Sequence, residues 1–198
     1  MVLDVHRMGE MHAAFARLRD YTDYTYVCDL TVEDGILDRV RALIIPMGGF
    51  YKTATLKKIR SFAERGGLIV GINLDTLCDL NEGLDYLDIL FGENGKEIGQ
   101  GYSLLIRGQM GGKIGATATP SGFHLVGNDP GNMQTEICDQ MTSFFATHGL
   151  YVSDGVMDGV FTAERNGKIL AMNYSGKDVE RDFTKPDGTS SSVRLLVR

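Results

Sequence analysis

Within residues 37–75, a short apolar run closed by proline, a glycine-rich turn, an amphipathic stretch and a second apolar run follow in that order. That order is the signature of a parallel strand–helix–strand unit. Ala42-Leu43-Ile44-Ile45 predicts a strand, and Pro46, which has no N–H to offer a ladder, ends it. Met47-Gly48-Gly49-Phe50-Tyr51 reads as a loop, after which Thr53 or Thr55 supplies a helix cap. Leu56, Ile59 and Ala63 share one helical face, with Lys57, Lys58, Arg60 and Glu64 on the other. Gly66-Gly67 stops the helix, because a left-handed C-terminal cap suits a residue without Cβ. Leu68-Ile69-Val70-Gly71-Ile72 is then apolar without alternation, as a parallel strand buried on both faces requires. Chemistry in such sheets gathers at the carboxyl ends of the strands. Here those ends carry Gly48, Gly49, Asn73, Leu74 and Asp75, with no Cys, Ser or His in a nucleophile's place.

The flanking sequence extends this unit. Val2–Val5 is a short stub of strand that carries a charge at Asp4; Met11, Ala14, Phe15 and Leu18 repeat at helical spacing, and Tyr24-Thr25-Tyr26-Val27-Cys28 reads as a strand. Leu84, Leu87 and Phe91 form one face of a short helix after Leu77-Cys78-Asp79-Leu80. Residues 93–131 are glycine-rich with brief apolar runs, Tyr102–Ile106 and Phe123–Val126 among them, and read as short strands and loops where insertions accumulate. Asn132 caps a helix whose face holds Met133, Ile137, Met141, Phe144 and His148; Gly149 ends it, and Leu150-Tyr151-Val152 suggests a further strand. The period then changes. Residues 160–164 and 168–172 form strands joined by Asn166-Gly167, a strong hairpin signal. Residues 179–183 and 193–197 add two more around Pro186-Asp187-Gly188, with Thr189-Ser190-Ser191-Ser192 as a small linker. The division expected is an α/β domain over residues 1–152 and an antiparallel β-tail over 153–198.

Composition narrows the function classes. With 198 residues, 43% of them hydrophobic, the chain supports one α/β domain with a small appendage. The net charge of −6, with both signs interspersed, leaves no footprint for nucleic acid or an anionic membrane. No apolar run approaches the ~20 residues that span a bilayer. Three widely spaced cysteines (Cys28, Cys78 and Cys138) do not make a disulfide framework, and point to a reduced, cytoplasmic setting.

The run Leu37-Asp38-Arg39-Val40-Arg41-Ala42-Leu43-Ile44-Ile45-Pro46, the helix end Phe62-Ala63-Glu64-Arg65-Gly66-Gly67, the strand after it and Leu90-Phe91-Gly92 together resemble the class I glutamine amidotransferase-like domain. The likeness is to its degenerate form in bacterial β-galactosidases, the trimerisation domain. Residues 160–174 resemble the small β-domain that closes many glycoside hydrolases. The resemblance covers residues 11–92 and 159–175. It implies a flavodoxin-like parallel sheet flanked by helices, with an antiparallel β appendage. It also implies a non-catalytic accessory role in a glycoside hydrolase: supporting oligomerisation or walling a neighbouring active site, through self-association or contact with a catalytic barrel domain.

The residues complete no route to catalysis. A cysteine amidotransferase needs its thiol on the tight turn after a central strand, and a His followed by an acidic residue near the domain's end. The turn here is Ile72-Asn73-Leu74-Asp75; Cys78 lies further on beside Leu77 and Leu80 and reads as a small core residue. His148 precedes Gly149-Leu150 and His124 lies between Phe123 and Leu125, so neither has the acidic partner. Glycoside hydrolysis needs paired carboxylates, and none of the 26 acidic residues sits in a recognisable catalytic setting. Gly48-Gly49 and Gly111-Gly112 complete no phosphate-loop motif, no flavin motif is visible, and the Cys and His residues, His6 and His12 included, show no metal-ligand spacing. No catalytic residue, cofactor or metal is therefore expected. The binding or interface candidates are Gly48, Gly49, Phe50, Tyr51, Asn73 and Asp75. Phe50-Tyr51 leads them, since two adjacent aromatics at a sheet edge cover a crevice, line a pocket, meet another chain or pack over the edge. The competing readings are a divergent cysteine hydrolase using Cys78 or Cys138, and a small-molecule module using the crevice.

Overall fold

The computed structural model describes residues 24–46, 48–107, 115–119, 122–126, 131–152, 159–185 and 187–196. The expected strand at Val2–Val5, the helix of Met11, Ala14, Phe15 and Leu18, and His6, His12, Met47, Gly111, Gly112 and Pro186 lie outside them.

The described chain opens with irregular backbone rather than the strand expected at Tyr24-Thr25-Tyr26-Val27-Cys28. The Tyr24 and Tyr26 rings meet edge to face, centroids 5.6 Å apart, and Tyr24 and Val27 pack against the core. β-forming residues here contribute contact surface without a ladder, because a strand also needs a neighbour to pair with. Cys28 then caps helix α1 (Asp29–Glu33), its N–H donating to Thr31 Oγ1 at 2.9 Å. A 3₁₀ turn (Ile36–Arg39) leads into β1 (Ala42–Ile45).

The main sheet runs β1–β3–β6–β5, where β3 is Leu68–Ile72, β6 is Gly101–Ile106 and β5 is Glu97–Ile98. β1, β3 and β6 are parallel, with Ile44 beside Val70 and Val70 beside Leu104; β5 pairs antiparallel on β6. All five residues of β3 are buried, as a strand covered on both faces requires. The described part of residues 93–131 is short strands and turns, as the sequence indicates, and its Tyr102–Ile106 run lies in β6, inside the main sheet. Its glycines also permit close packing. A Cβ on Gly101 would lie 2.3 Å from the Gly67 carbonyl oxygen and 2.4 Å from that of Ala63, and Gly99, at φ +61°, approaches the Glu64 backbone.

Helix α2 (Thr53–Glu64) links β1 to β3 and buries Leu56, Ile59, Phe62 and Ala63, while Lys57, Lys58, Arg60 and Glu64 face water. Its cap differs from expectation. Lys52 holds the N-cap position without a side-chain bond; Thr53 is already helical and Thr55 is fully buried. The C-terminus behaves as the sequence indicates. Gly66, at φ +105°, donates to the Ala63 carbonyl at 2.9 Å and Gly67 to that of Phe62 at 3.0 Å, so the last carbonyls find partners.

After β3, helix α3 (Tyr86–Phe91) buries Tyr86, Leu90 and Phe91 and is capped by the Asp85 carboxylate, which accepts from the Leu87 N–H at 2.9 Å. Leu84, expected on its inner face, lies before the helix and stays exposed. β7 (Gly115–Thr119) and β8 (Gly122–Val126) form an antiparallel hairpin. Helix α4 (Gly131–Thr147) inserts Ile137, Cys138, Met141 and Phe145 into the core and ends at Gly149, φ +71°. Residues 150–152 are irregular rather than a strand, because the Leu150 N–H turns back to the Phe145 carbonyl to close the helix end.

The C-terminal segment is antiparallel throughout. β9 (Val160–Arg165) and β10 (Lys168–Asn173) meet at Asn166 and Gly167, whose φ values of +54° and +72° are those of a two-residue hairpin turn. β11 (Val179–Thr184) pairs with β12 (Ser190–Leu195). The serines expected to form a linker are thus the first half of β12, paired opposite Thr184, Phe183 and Asp182. Their contribution is backbone pairing, which an apolar-pattern reading does not register. Val160, Val179 and Phe183 form a small core of their own with Ile169, Ala171 and Leu195, separate from the large one around β3.

Candidate functional site

The loops leaving β1 and β3 converge, and what holds them together is a second small sheet. Gly49–Tyr51, expected as loop, is strand β2, paired in parallel with β4 (Leu77–Asp79): Gly49 beside Leu77, Phe50 beside Cys78, Tyr51 beside Asp79. The Gly49 N–H donates to the Thr76 carbonyl at 2.9 Å. Gly48 permits this approach, since a Cβ there would lie 2.5 Å from that same carbonyl oxygen. Gly48 and Gly49 are therefore brought against the Asp75–Thr76 backbone.

Asn73 stands directly after β3 with φ +48°, a left-handed conformation rare for a residue other than glycine but comparatively tolerated by asparagine. Its N–H donates to the Ile106 carbonyl at 2.9 Å, tying the turn to the end of β6. The first position of the turn after β3 thus carries a carboxamide, which is no nucleophile. Asp75 is exposed two residues on, and Leu74 between them is fully buried.

The aromatic pair divides. Tyr51 is 3% exposed, and its phenol is pushed up to about 12, first by burial and then by the nearby Asp29 carboxylate. Phe50 is 65% exposed. Alternation along β2 sends one ring into the core and leaves the other on the surface, near the exposed Leu80 that follows β4.

Where the start of α2 meets the turn after β4 lies a polar cluster that the sequence reading did not single out. Asp79, 1% exposed, accepts at Oδ1 from Thr53 Oγ1 (2.7 Å), the Asn81 N–H (2.7 Å) and the Glu82 N–H (3.0 Å). Asn81 Nδ2 donates in turn to Thr53 Oγ1 at 2.9 Å. Asp79 Oδ2 is buried without a hydrogen-bond partner among the described residues. The Glu82 N–H, with Thr53 and Asn81, holds this carboxyl below the usual carboxylate range. An aspartate followed by Asn81-Glu82-Gly83 is a turn signal, and that was the available clue. The cluster staples the start of α2 to the turn after β4.

The thiols do not assemble a catalytic pair. Cys78 Sγ lies 2.9 Å from Thr76 Oγ1, a hydroxyl rather than a base, and Cys138 is buried in the main core. Cys28 is exposed and its thiol is lowered, chiefly by hydrogen bonding to the Thr31 backbone. His148 rests against Tyr102 and Phe144, ring centroids 4.2 and 4.6 Å away, with Nδ1 2.8 Å from the Phe144 carbonyl oxygen. The His124 side chain lies outside the described part. Among the described residues no group of three metal-ligating side chains occurs, and no helix is long and apolar enough to cross a membrane.

No protein-family model matches the sequence, and no curated protein matches it. Solved structures do. A catalytic mutant of Gan42B, a GH42 β-galactosidase from G. stearothermophilus, aligns with a TM-score of 0.55 at 12% identity, over 98% of this chain and 36% of its own. A second Gan42B structure aligns with a TM-score of 0.47 at 13% identity, over 83% of this chain and 31% of that one. A β-galactosidase from Bacillus circulans sp. alkalophilus gives 0.47 at 12% identity, over 100% of this chain and 37% of its own. This chain therefore spans about a third of the length of these enzymes. At such identity the likeness is one of fold, and the 0.55 alignment carries it.

Proposed function

We propose that this chain is a non-catalytic accessory domain of a glycoside hydrolase of the β-galactosidase type, of the trimerisation-domain kind. In this reading it supports oligomer assembly or walls a neighbouring active site, in contact with a catalytic domain. The observation that carries the reading is the fold likeness that takes in 98% of this chain but 36% of a GH42 β-galactosidase. A domain of a larger enzyme is expected to match in that lopsided way. The carboxamide of Asn73 on the turn after β3 supports the non-catalytic part. Phe50 is the interface candidate, together with Gly48, Gly49 and Asp75, with Asn73 fixing the turn; Tyr51 acts as the buried support of β2. The reading includes the reduced, cytoplasmic setting suggested by three widely spaced cysteines in the sequence.

Light scattering over a tenfold range of concentration tests the assembly role. A closed oligomer that Phe50→Asp breaks into monomers, without loss of helical circular dichroism, is the expected result. A strict monomer at every concentration overturns self-association, and release of nitrophenol from a chromogenic β-galactoside by the chain alone overturns the non-catalytic assignment.

A further inference from the structure

We draw no further inference here: the strongest candidate, the outward face of the β9–β10 hairpin, where the Phe161 and Tyr174 rings meet 5.8 Å apart beside exposed Leu170 and Met172, is an unpartnered apolar sheet face, and nothing among the described residues shows what covers it.

Discussion

Asp79 and Tyr51 sit side by side across β2 and β4, and their acid groups are shifted in opposite directions. The Asp79 carboxyl is held lower in the folded chain than in the unfolded one, so the unfolded state binds the proton more readily as pH falls. The stability it contributes is complete above the ordinary carboxylate pKa of about 3.9 and is lost as pH falls through the lower folded value. Asp79→Asn places an amide N–H₂ where Oδ2 is buried without a partner, or turns that group toward donors. Thermal melts are therefore expected to show a lower Tm for this variant at neutral pH and a shallower fall as pH drops below about 4. Asp187, held low by Thr189 in the β11–β12 turn, keeps part of the acid dependence in both proteins. Parallel Tm–pH curves would remove Asp79 from the account. Tyr51 has the reverse sign. Its folded value of about 12 lies above the unfolded one, so its contribution is complete below about pH 10 and fades as pH rises to about 12. Two pKa units correspond to roughly 3 kcal/mol. Tyr51→Phe is expected to flatten the denaturant midpoint over that interval, and a midpoint that falls as steeply as the parent's would show that the phenol titrates as if exposed. Neither role was legible in the sequence. Phe50-Tyr51 was visible as an aromatic pair, but which ring enters the core follows from the β2–β4 register, and three-residue strands 28 positions apart leave no periodic trace.

At the scale of elements, helix α2 is the joint that connects β2 to β3 and covers the main sheet. Leu56, fully buried, packs into the main core, whereas its neighbour Lys57 is exposed. Leu56→Ala is expected to cost about 2–5 kcal/mol and Lys57→Ala less than about 0.5 kcal/mol, both read from urea midpoints at constant slope. Equal effects would mean that α2 does not bury the face described. This element was legible because its information is local: Leu56, Ile59 and Ala63 keep the helical period, and Gly66-Gly67 closes it. Asn166-Gly167 was legible for the same reason, since only a short list of residues accepts two successive left-handed positions. The elements misread are those whose information is non-local. The Tyr24–Cys28 region has β-forming composition but no ladder, the Ser190–Ser192 run has a ladder but no apolar pattern, and the close approach of Gly99 and Gly101 to the end of α2 adds packing to the turn that their composition announces. Pairing and close approach depend on a partner distant in sequence, and composition carries no record of it.

For the whole molecule the open matter is how many cooperative units it contains. The large core gathers α1 to α4 around β3, while Val160, Val179 and Phe183 close a second core between the two C-terminal hairpins. In the sequence the period changes over residues 159–198, which suggests a boundary after residue 152, and resemblance suggests an accessory domain of a glycoside hydrolase; both remain proposals. Independence of the two parts is our proposal. It follows from two-core packing only if few contacts couple them, because cooperativity propagates through shared buried surface. Phe183→Ala opens a cavity in the smaller core and is expected to cost about 3 kcal/mol there. If the parts unfold separately, calorimetry of this variant will show one transition moved to lower temperature and a second, from the β3 core, at the parent's temperature. Leu56→Ala will do the reverse. A single transition displaced by both substitutions would join the β-tail to the α/β body as one folding unit. The proposed boundary at residues 152 and 153 would then fall, and an interface role for the crevice would have to be sought with the hairpins as part of the same rigid support.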